Sequence, residues 1–322
     1  MAEKKTINLV DVTLRDAHQC LWATRMTTAM MEDLSKRLDR AGFEAIDLVG
    51  GAVFDVCVRY LREDPWERMR ILSGWVKRTP LIVMTRGQSL FTFEFFPDDI
   101  VELTAERIFA NGIRYHTPYD ALNDMRNMEV PVRAAKRVGL YTAGGIVYTV
   151  SPVHTDDYYV RKTRELVSLG VDAVYIKDPS GLLTPERVYT LVPALKAVCG
   201  KLPLHLHSHC LTGLAPYAAC RAVEIGVDVV HTANIGHGTN LGIGFTRADD
   251  KHVTGIVADQ GRGADIRIRQ LKGGRFEVRD RTGKHVVNDG DSVVVADGLG
   301  SRHSLVLRGF ATNAASQVTT RR

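Results

Sequence analysis

Apolar residues along the chain fall into short β-branched runs, and before most of these runs stands a glycine that closes a stretch of helical spacing. Helices commonly end on a glycine in the left-handed conformation, so a glycine followed by such a run marks the passage from helix to strand. The passages are AGFEAIDL at Gly42, NGIRYHT at Gly112, VGLYTAGG at Gly139, LGVDAVYI at Gly170, CGKLPLHL at Gly200 and IGVDVVHT at Gly226. From Gly112 onward the glycines stand 27, 31, 30 and 26 residues apart, and a strand with its crossover helix takes about 30 residues. The gap of 70 from Gly42 to Gly112 holds two units, with LIVMT after Pro80 as the strand between them.

Adding the opening INLVDVT, the pattern predicts eight strands, near residues 7–13, 44–49, 81–85, 113–117, 142–148, 173–177, 203–208 and 228–232. Helix starts fit the same count. Asp64, Pro65 and Glu67 supply a cap, a first-turn proline and a capping-box acid, Thr184 and Pro185 repeat the first two, and Asp98 opens a third helix. Eight alternating units predict an α/β fold, a (β/α)₈ TIM barrel over residues 1–245 followed by an atypical segment over 246–322. A doubly wound open sheet would normally carry a glycine-rich phosphate loop after its first strand, and none is present there.

Composition changes this picture little. Hydrophobic residues at 45% and charged residues at 25% are the balance of a globular chain. No apolar run approaches the roughly 20 residues needed to span a bilayer. MAEKK leads straight into a strand pattern without the apolar region of a signal peptide, so a cytoplasmic protein with no membrane span is expected. The five cysteines, Cys20, Cys57, Cys199, Cys210 and Cys220, are scattered and lack CxxC spacing, which points to neither a disulfide framework nor a zinc ribbon.

The net charge of +5 is not evenly spread. Residues 246–322 hold 14 Lys or Arg against 9 Asp or Glu, while the remainder balances 28 against 28. That segment has no aromatic interleaving and no recognisable nucleic-acid module, so a solvated basic stretch is expected and no nucleic-acid partner.

In a barrel of this kind the working residues lie at the C-terminal ends of the strands and in the loops that follow. The first strand leads to Arg15 and Asp16 with Gln19 close behind, the third to Arg86, the sixth to Lys177 and Asp178, and the seventh carries His205, His207 and His209. Spacing of i, i+2 puts the three histidines on one face of a strand, so His207 and His209, nearest the C-terminal end, can reach one metal ion. The same spacing also suits hydrogen-bonded core histidines, the role expected of the deeper His205. Asp16 offers a hard oxygen ligand or a strand-end cap. Lys177 in AVYIKD needs a reason to be buried, and two are available: an ion pair with Asp178, or carbamylation into a long-armed carboxylate.

The stretches LRDAHQCLWATRM, FDVCVRYLREDPWERMR, TRGQSL, YTVSPVHT, YIKDPSGLLTPE and PLHLHSHCLTG resemble, in order, the carboxyltransferase domains of biotin-dependent pyruvate carboxylase, the oxaloacetate decarboxylase α subunit and the keto-acid subunit of transcarboxylase. The resemblance runs from about Ile7 to about Asn240. It implies a divalent metal, zinc, manganese or cobalt, held by Asp16, a carbamylated Lys177, His207 and His209. It also implies that Arg15, Gln19 and Arg86 hold pyruvate or oxaloacetate, with Arg15, Gln19 and Lys177 as the catalytic set. Carboxybiotin would come from a separate carrier protein, with a biotin carboxylase subunit as a further partner and a homodimer as the expected assembly.

Several positions depart from the family pattern. Cys210 stands where many members have Asp, Pro179 replaces a common Met, and YHTPYDALND is a drifted form of FRVFDSLND. After the eighth strand the family continues into a long region that funnels over the barrel mouth and supplies a threonine, and nothing from Phe245 onward resembles it. TNAAS at Thr312 is too weak a match to carry that role over. Residues 246–322 can be read as a β-rich module with a turn at Asn288, Asp289 and Gly290, as a disordered segment, or as an out-of-frame extension. Three functional classes follow: a carboxyltransferase subunit, a metal-dependent lyase or aldolase of the wider superfamily, and a catalytically impaired barrel acting as a scaffold.

Overall fold

The computed structural model describes residues 7–233 throughout and, beyond them, strand segments between 245 and 321. Eight strands, β1 (Asn8–Asp11), β2 (Ala45–Val49), β3 (Leu81–Thr85), β4 (Tyr115–Pro118), β5 (Tyr141–Val147), β6 (Ala173–Asp178), β7 (Leu204–Ser208) and β8 (Val229–Thr232), close into a parallel barrel in chain order. Closure is made by β1 beside β8, with Asn8 opposite Val229 and Asp11 opposite Thr232. Between the strands lie helices α1 (His18–Leu21), α2 (Glu32–Leu38), α3 (Gly51–Val56), α4 (Pro65–Trp75), α5 (Asp98–Ala110), α6 (Arg126–Arg137), α7 (Asp156–Ser168), α8 (Pro185–Cys199) and α9 (Ala215–Ile225). None is long and apolar enough to cross a membrane among the described residues.

The punctuation behaves as its chemistry requires. All six helix-ending glycines have positive φ, from 58° at Gly200 to 133° at Gly226. Asp64 caps α4 by accepting from the Trp66 amide at 2.8 Å, and Thr184 caps α8 by accepting from Arg187 at 3.2 Å. The first strand is shorter than expected. It stops at Asp11 because that side chain accepts from both the amide (3.0 Å) and the hydroxyl (2.8 Å) of Thr13, turning the chain out of the sheet.

Three apolar clusters build the core. Two lie between the barrel wall and the helices. The third draws on seven of the eight strands through Val10, Ala45, Ile82, Tyr115, Ala143, Ala173, Tyr175 and Val229, and therefore fills the barrel interior. Small residues on β2, β5 and β6 leave room there for two tyrosines. A Cβ on Gly145 would lie 2.6 Å from Cζ of the fully buried Tyr175, so this glycine is the notch that receives the ring.

Strands β9 (Phe245–Asp249), β10 (His252–Gly255), β11 (Arg267–Leu271), β12 (Arg275–Asp280) and β13 (Gly283–Asn288) form one antiparallel sheet, and β14 (Ser292–Ala296), β15 (Arg302–Leu307) and β16 (Val318–Arg321) another. The turn expected at Asn288, Asp289 and Gly290 does not join a hairpin, since β13 and β14 belong to different sheets; Asp289 and Gly290 themselves lie outside the described residues. The hairpin is instead β12–β13, with Asp280 opposite Gly283. Gly283 at φ 138° supplies the bend that the alternation pattern could not locate. Thr312 also lies outside the described residues.

Gly145→Ala is expected to cost about 1–3 kcal/mol by overpacking, and less in a Tyr175→Leu background. Urea unfolding of the single and double variants measures both, and equal costs in the two backgrounds would show that the ring is not the obstacle.

Candidate active site

Directly after β1 the chain makes a π-helical turn, Thr13–Ala17, in which the amides of Arg15, Asp16 and Ala17 all point at the Val12 carbonyl. Such widened turns recur at functional sites because they reset the direction of side chains. This one buries Arg15 and Asp16 side by side, at 4% and 0% exposure. Arg15 NH1 donates to Asp16 Oδ1 at 2.7 Å, while its Nε donates to Oδ2 of the buried Asp47 at 2.7 Å and its NH2 lies 2.6 Å from that same oxygen. Burial pushes the Asp16 carboxyl up, but Arg15, His209 and His207 together override it and hold the group well below the ordinary carboxylate range.

The other oxygen of Asp16 faces the histidines. Oδ2 stands 3.4 Å from His209 Nε2 and 3.9 Å from His207 Nε2. Donors around a tetrahedral ion with bonds of about 2.0–2.1 Å are separated by about 3.3 Å, so the three atoms are spaced for one cation. Asp16, His207 and His209 form the one such cluster of metal-ligating groups among the described residues. Both Nε2 atoms are buried without a hydrogen-bond partner. Buried polar atoms are rarely left so, and a divalent cation is what this donor set would satisfy. Burial and then the charge of Lys177 push the His207 imidazole well below its usual range, which keeps it in the neutral, ligating form. His205 takes the deeper place expected of it, with Nδ1 3.4 Å from Nε2 of His231.

Lys177 lies on β6 with His207 as its register partner on β7. The ion pair with Asp178 allowed by the sequence is absent. Successive strand residues face opposite sides, and Asp178 is occupied by the Leu182 and Leu183 amides, both at 3.0 Å, and by the Ser208 hydroxyl at 2.7 Å. Lys177 Nζ instead lies 3.6 Å from Met84 Sδ and 4.8 Å from the centroid of the Tyr119 ring. Burial first, then the charge of Arg15, draws its amine down to about 8.

Arg86 follows β3. Its NH1 donates to the carbonyls of Phe91 (2.8 Å) and Thr92 (3.3 Å), and its guanidinium lies 4.5 Å from the centroid of the exposed Phe93 ring. The head group rests on bare backbone, since a Cβ at Gly51 would fall 1.9 Å from NH1. Gln19 is half-buried in α1, the helix that continues the π turn. Arg15, Asp16, Lys177, His207 and His209 are thus gathered at one mouth, with Arg86 on the loop beside them.

The HMGL-like family matches residues 119–248. A pyruvate carboxylase subunit of Methanocaldococcus jannaschii is 47% identical over 227 residues, 70% of this chain and 40% of that protein. The methylmalonyl-CoA carboxyltransferase 5S subunit of Propionibacterium freudenreichii subsp. shermanii is 37% identical, covering 72% of this chain and 46% of that protein. The carboxyl transferase domain of Rhizobium etli pyruvate carboxylase, solved with oxamate and biotin, superposes with a TM-score of 0.69 at 32% identity, covering 72% of this chain and 40% of that one. The chain spans less than half the length of these curated relatives.

Sequence reasoning about this barrel missed Asp47, Gly50 and Gly51. Asp47 reads as one polar residue inside a strand, and only the distance to Arg15, 32 positions away, gives it meaning. The Gly50–Gly51 pair after β2 was a legible signal, because paired glycines mark a place where something approaches the backbone closely.

In metal-free, CO₂-free buffer at pH 7, Lys177→Met is expected to raise stability by up to about 3 kcal/mol, since a buried amine lowered from 10.5 to about 8 disfavours the folded state while protonated. The wild type should recover that stability as pH climbs from about 8 toward 10.5, and the variant should not. Urea midpoints at pH 7 and pH 10 check this; parallel pH dependence in the two proteins would contradict it.

Proposed function

We propose that this chain is the carboxyltransferase component of a biotin-dependent enzyme that moves a carboxyl group between a small 2-keto acid, pyruvate or oxaloacetate, and biotin on a separate carrier protein. The observation that carries the reading is the convergence of Asp16 Oδ2, His207 Nε2 and His209 Nε2 on one point, beside a buried lysine with no acid partner among the described residues. The similarity to pyruvate carboxylase and transcarboxylase subunits supports the same chemistry.

Asp16, His207 and His209 would hold a divalent ion, zinc, manganese or cobalt, with Lys177 as a fourth ligand once carbamylated. When bound, the ion supplies Lewis acidity for the charge that grows on the keto oxygen as the adjacent carbon loses a proton or a carboxyl group. The lowered amine of Lys177 favours the modification: the ammonium first gives up one proton, and the free amine then adds to CO₂ through a new N–C bond and releases a second, so that a cation is exchanged for a carboxylate. Arg86 and Gln19 hold the keto-acid carboxylate at the rim.

The wild-type chain, loaded with Mn²⁺ and given biotin carrier, should decarboxylate oxaloacetate in a biotin-dependent manner. Lys177→Ala should lose about 100-fold or more of that activity; an undiminished rate in the variant rules the assignment out, and metal binding without wild-type turnover leaves the barrel as a binding subunit.

Gly51→Ala fills the space that Arg86 NH1 occupies. Loss of one charge-assisted contact to the substrate carboxylate is worth about 1.5–3 kcal/mol, so KM for the keto acid should rise about 10- to 100-fold with a smaller change in kcat. Steady-state kinetics separate the two, and a fall confined to kcat would remove Arg86 from the binding role.

A further inference from the structure

Asp47, from the middle of β2, is 2% exposed and touches no candidate ligand directly. Its Oδ2 holds two of the three guanidinium nitrogens of Arg15, Nε at 2.7 Å and NH2 at 2.6 Å. The Arg15 stem is fixed from another side by the turn after β2, where a Cβ on Gly50 would come within 3.2 Å of Arg15 Cδ. Only NH1 is turned toward Asp16, and it meets Oδ1 at 2.7 Å. The two oxygens of Asp16 are therefore divided: Oδ1 is held by arginine, and Oδ2 faces the histidine nitrogens at 3.4 and 3.9 Å.

We propose that Asp47 is a positioning residue for the metal site, anchoring Arg15 so that it grips one oxygen of Asp16 and leaves the other for the cation. A guanidinium is a planar fork that pairs readily with both oxygens of a carboxylate. Without Asp47, Arg15 would be released to take Asp16 in that two-oxygen fashion and compete with the ion. The inference rests on Asp16, His207 and His209 being metal ligands, and it assigns Arg15 to orienting a ligand, leaving the substrate carboxylate to Arg86 and Gln19.

A double-variant cycle on the full chain, read as Mn²⁺ affinity by isothermal titration, tests the route through Arg15. Outer partners of metal ligands typically govern about 10- to 100-fold in affinity. Asp47→Asn, similar in shape but uncharged, should weaken Mn²⁺ binding by that factor in the wild-type background, and by less than about 3-fold, the usual additivity error, in an Arg15→Met background. If Asp47→Asn does not fold, Asp47→Glu serves instead, because one extra methylene pushes Arg15 onto Asp16; its expected loss is about 10-fold, again only when Arg15 is present. Undiminished affinity in the Asp47 variant, or an equal loss in both backgrounds, overturns the proposal while the metal site stands. A wild-type chain that binds no Mn²⁺ overturns both.

Discussion

A guanidinium buried between two carboxylates is the constraint on which the mouth of this barrel depends. Arg15 cannot shed its charge, and a lone buried cation would be prohibitive, so the site exists only where β1 and β2 bring Asp16 and Asp47 to it together. Removing either acid from such a cluster typically costs about 3–5 kcal/mol because the remaining charge stays buried. The π turn after β1 and the paired glycines after β2 are the local devices that meet this demand. One turns Arg15 and Asp16 into the barrel mouth, and the other lets two arginine side chains lie against the backbone.

Beneath that charged layer the interior is closed by bulk. Tyr175 seats in the notch at Gly145 and stacks on His231, whose ring in turn packs edge-on against His205 and His207. Burial then holds His205, His207 and His231 in their neutral forms, since in each the cost of charging outweighs any nearby acid. Neutral imidazole is the ligating form. Packing and chemistry are thus the same fact at His207, where the depth that stabilises the core also prepares the ligand.

The parts of the molecule that were legible in its sequence are those fixed by local chemistry. Helix-ending glycines, the Asp64 and Thr184 caps and the eight apolar runs each depend on a few neighbouring residues, and strand limits fall within a few residues of expectation. The paired histidines were legible because strand period alone puts His207 and His209 on one face. What could not be read depends on contact between distant positions: Asp47 with Arg15, Gly51 with Arg86, Gly145 with Tyr175. The same strand period, applied one residue further, also excludes Asp178 as partner to Lys177. The β12–β13 hairpin was missed for a different reason, because alternating polarity is equally consistent with either neighbour as partner, and pairing is decided by backbone conformation at Gly283.

Charge balance links these observations to the proposed chemistry. Asp16 and Asp47 stand against Arg15, Arg86 and Lys177, so these five side chains together carry an excess of one positive charge. Bringing a divalent cation into that setting is unfavourable as it stands. Converting Lys177 from ammonium to carbamate changes the balance by two, turning the excess into a deficit of one, and a divalent ion then restores a net single positive charge. That residual charge would match the anionic keto acid proposed as substrate. On the proposed reading, a site built on a buried arginine, which cannot itself be neutralised, would be helped by one group able to change sign as a metal enters, and Lys177, buried with no acid partner among the described residues and already inclined to give up its proton, is the group so placed.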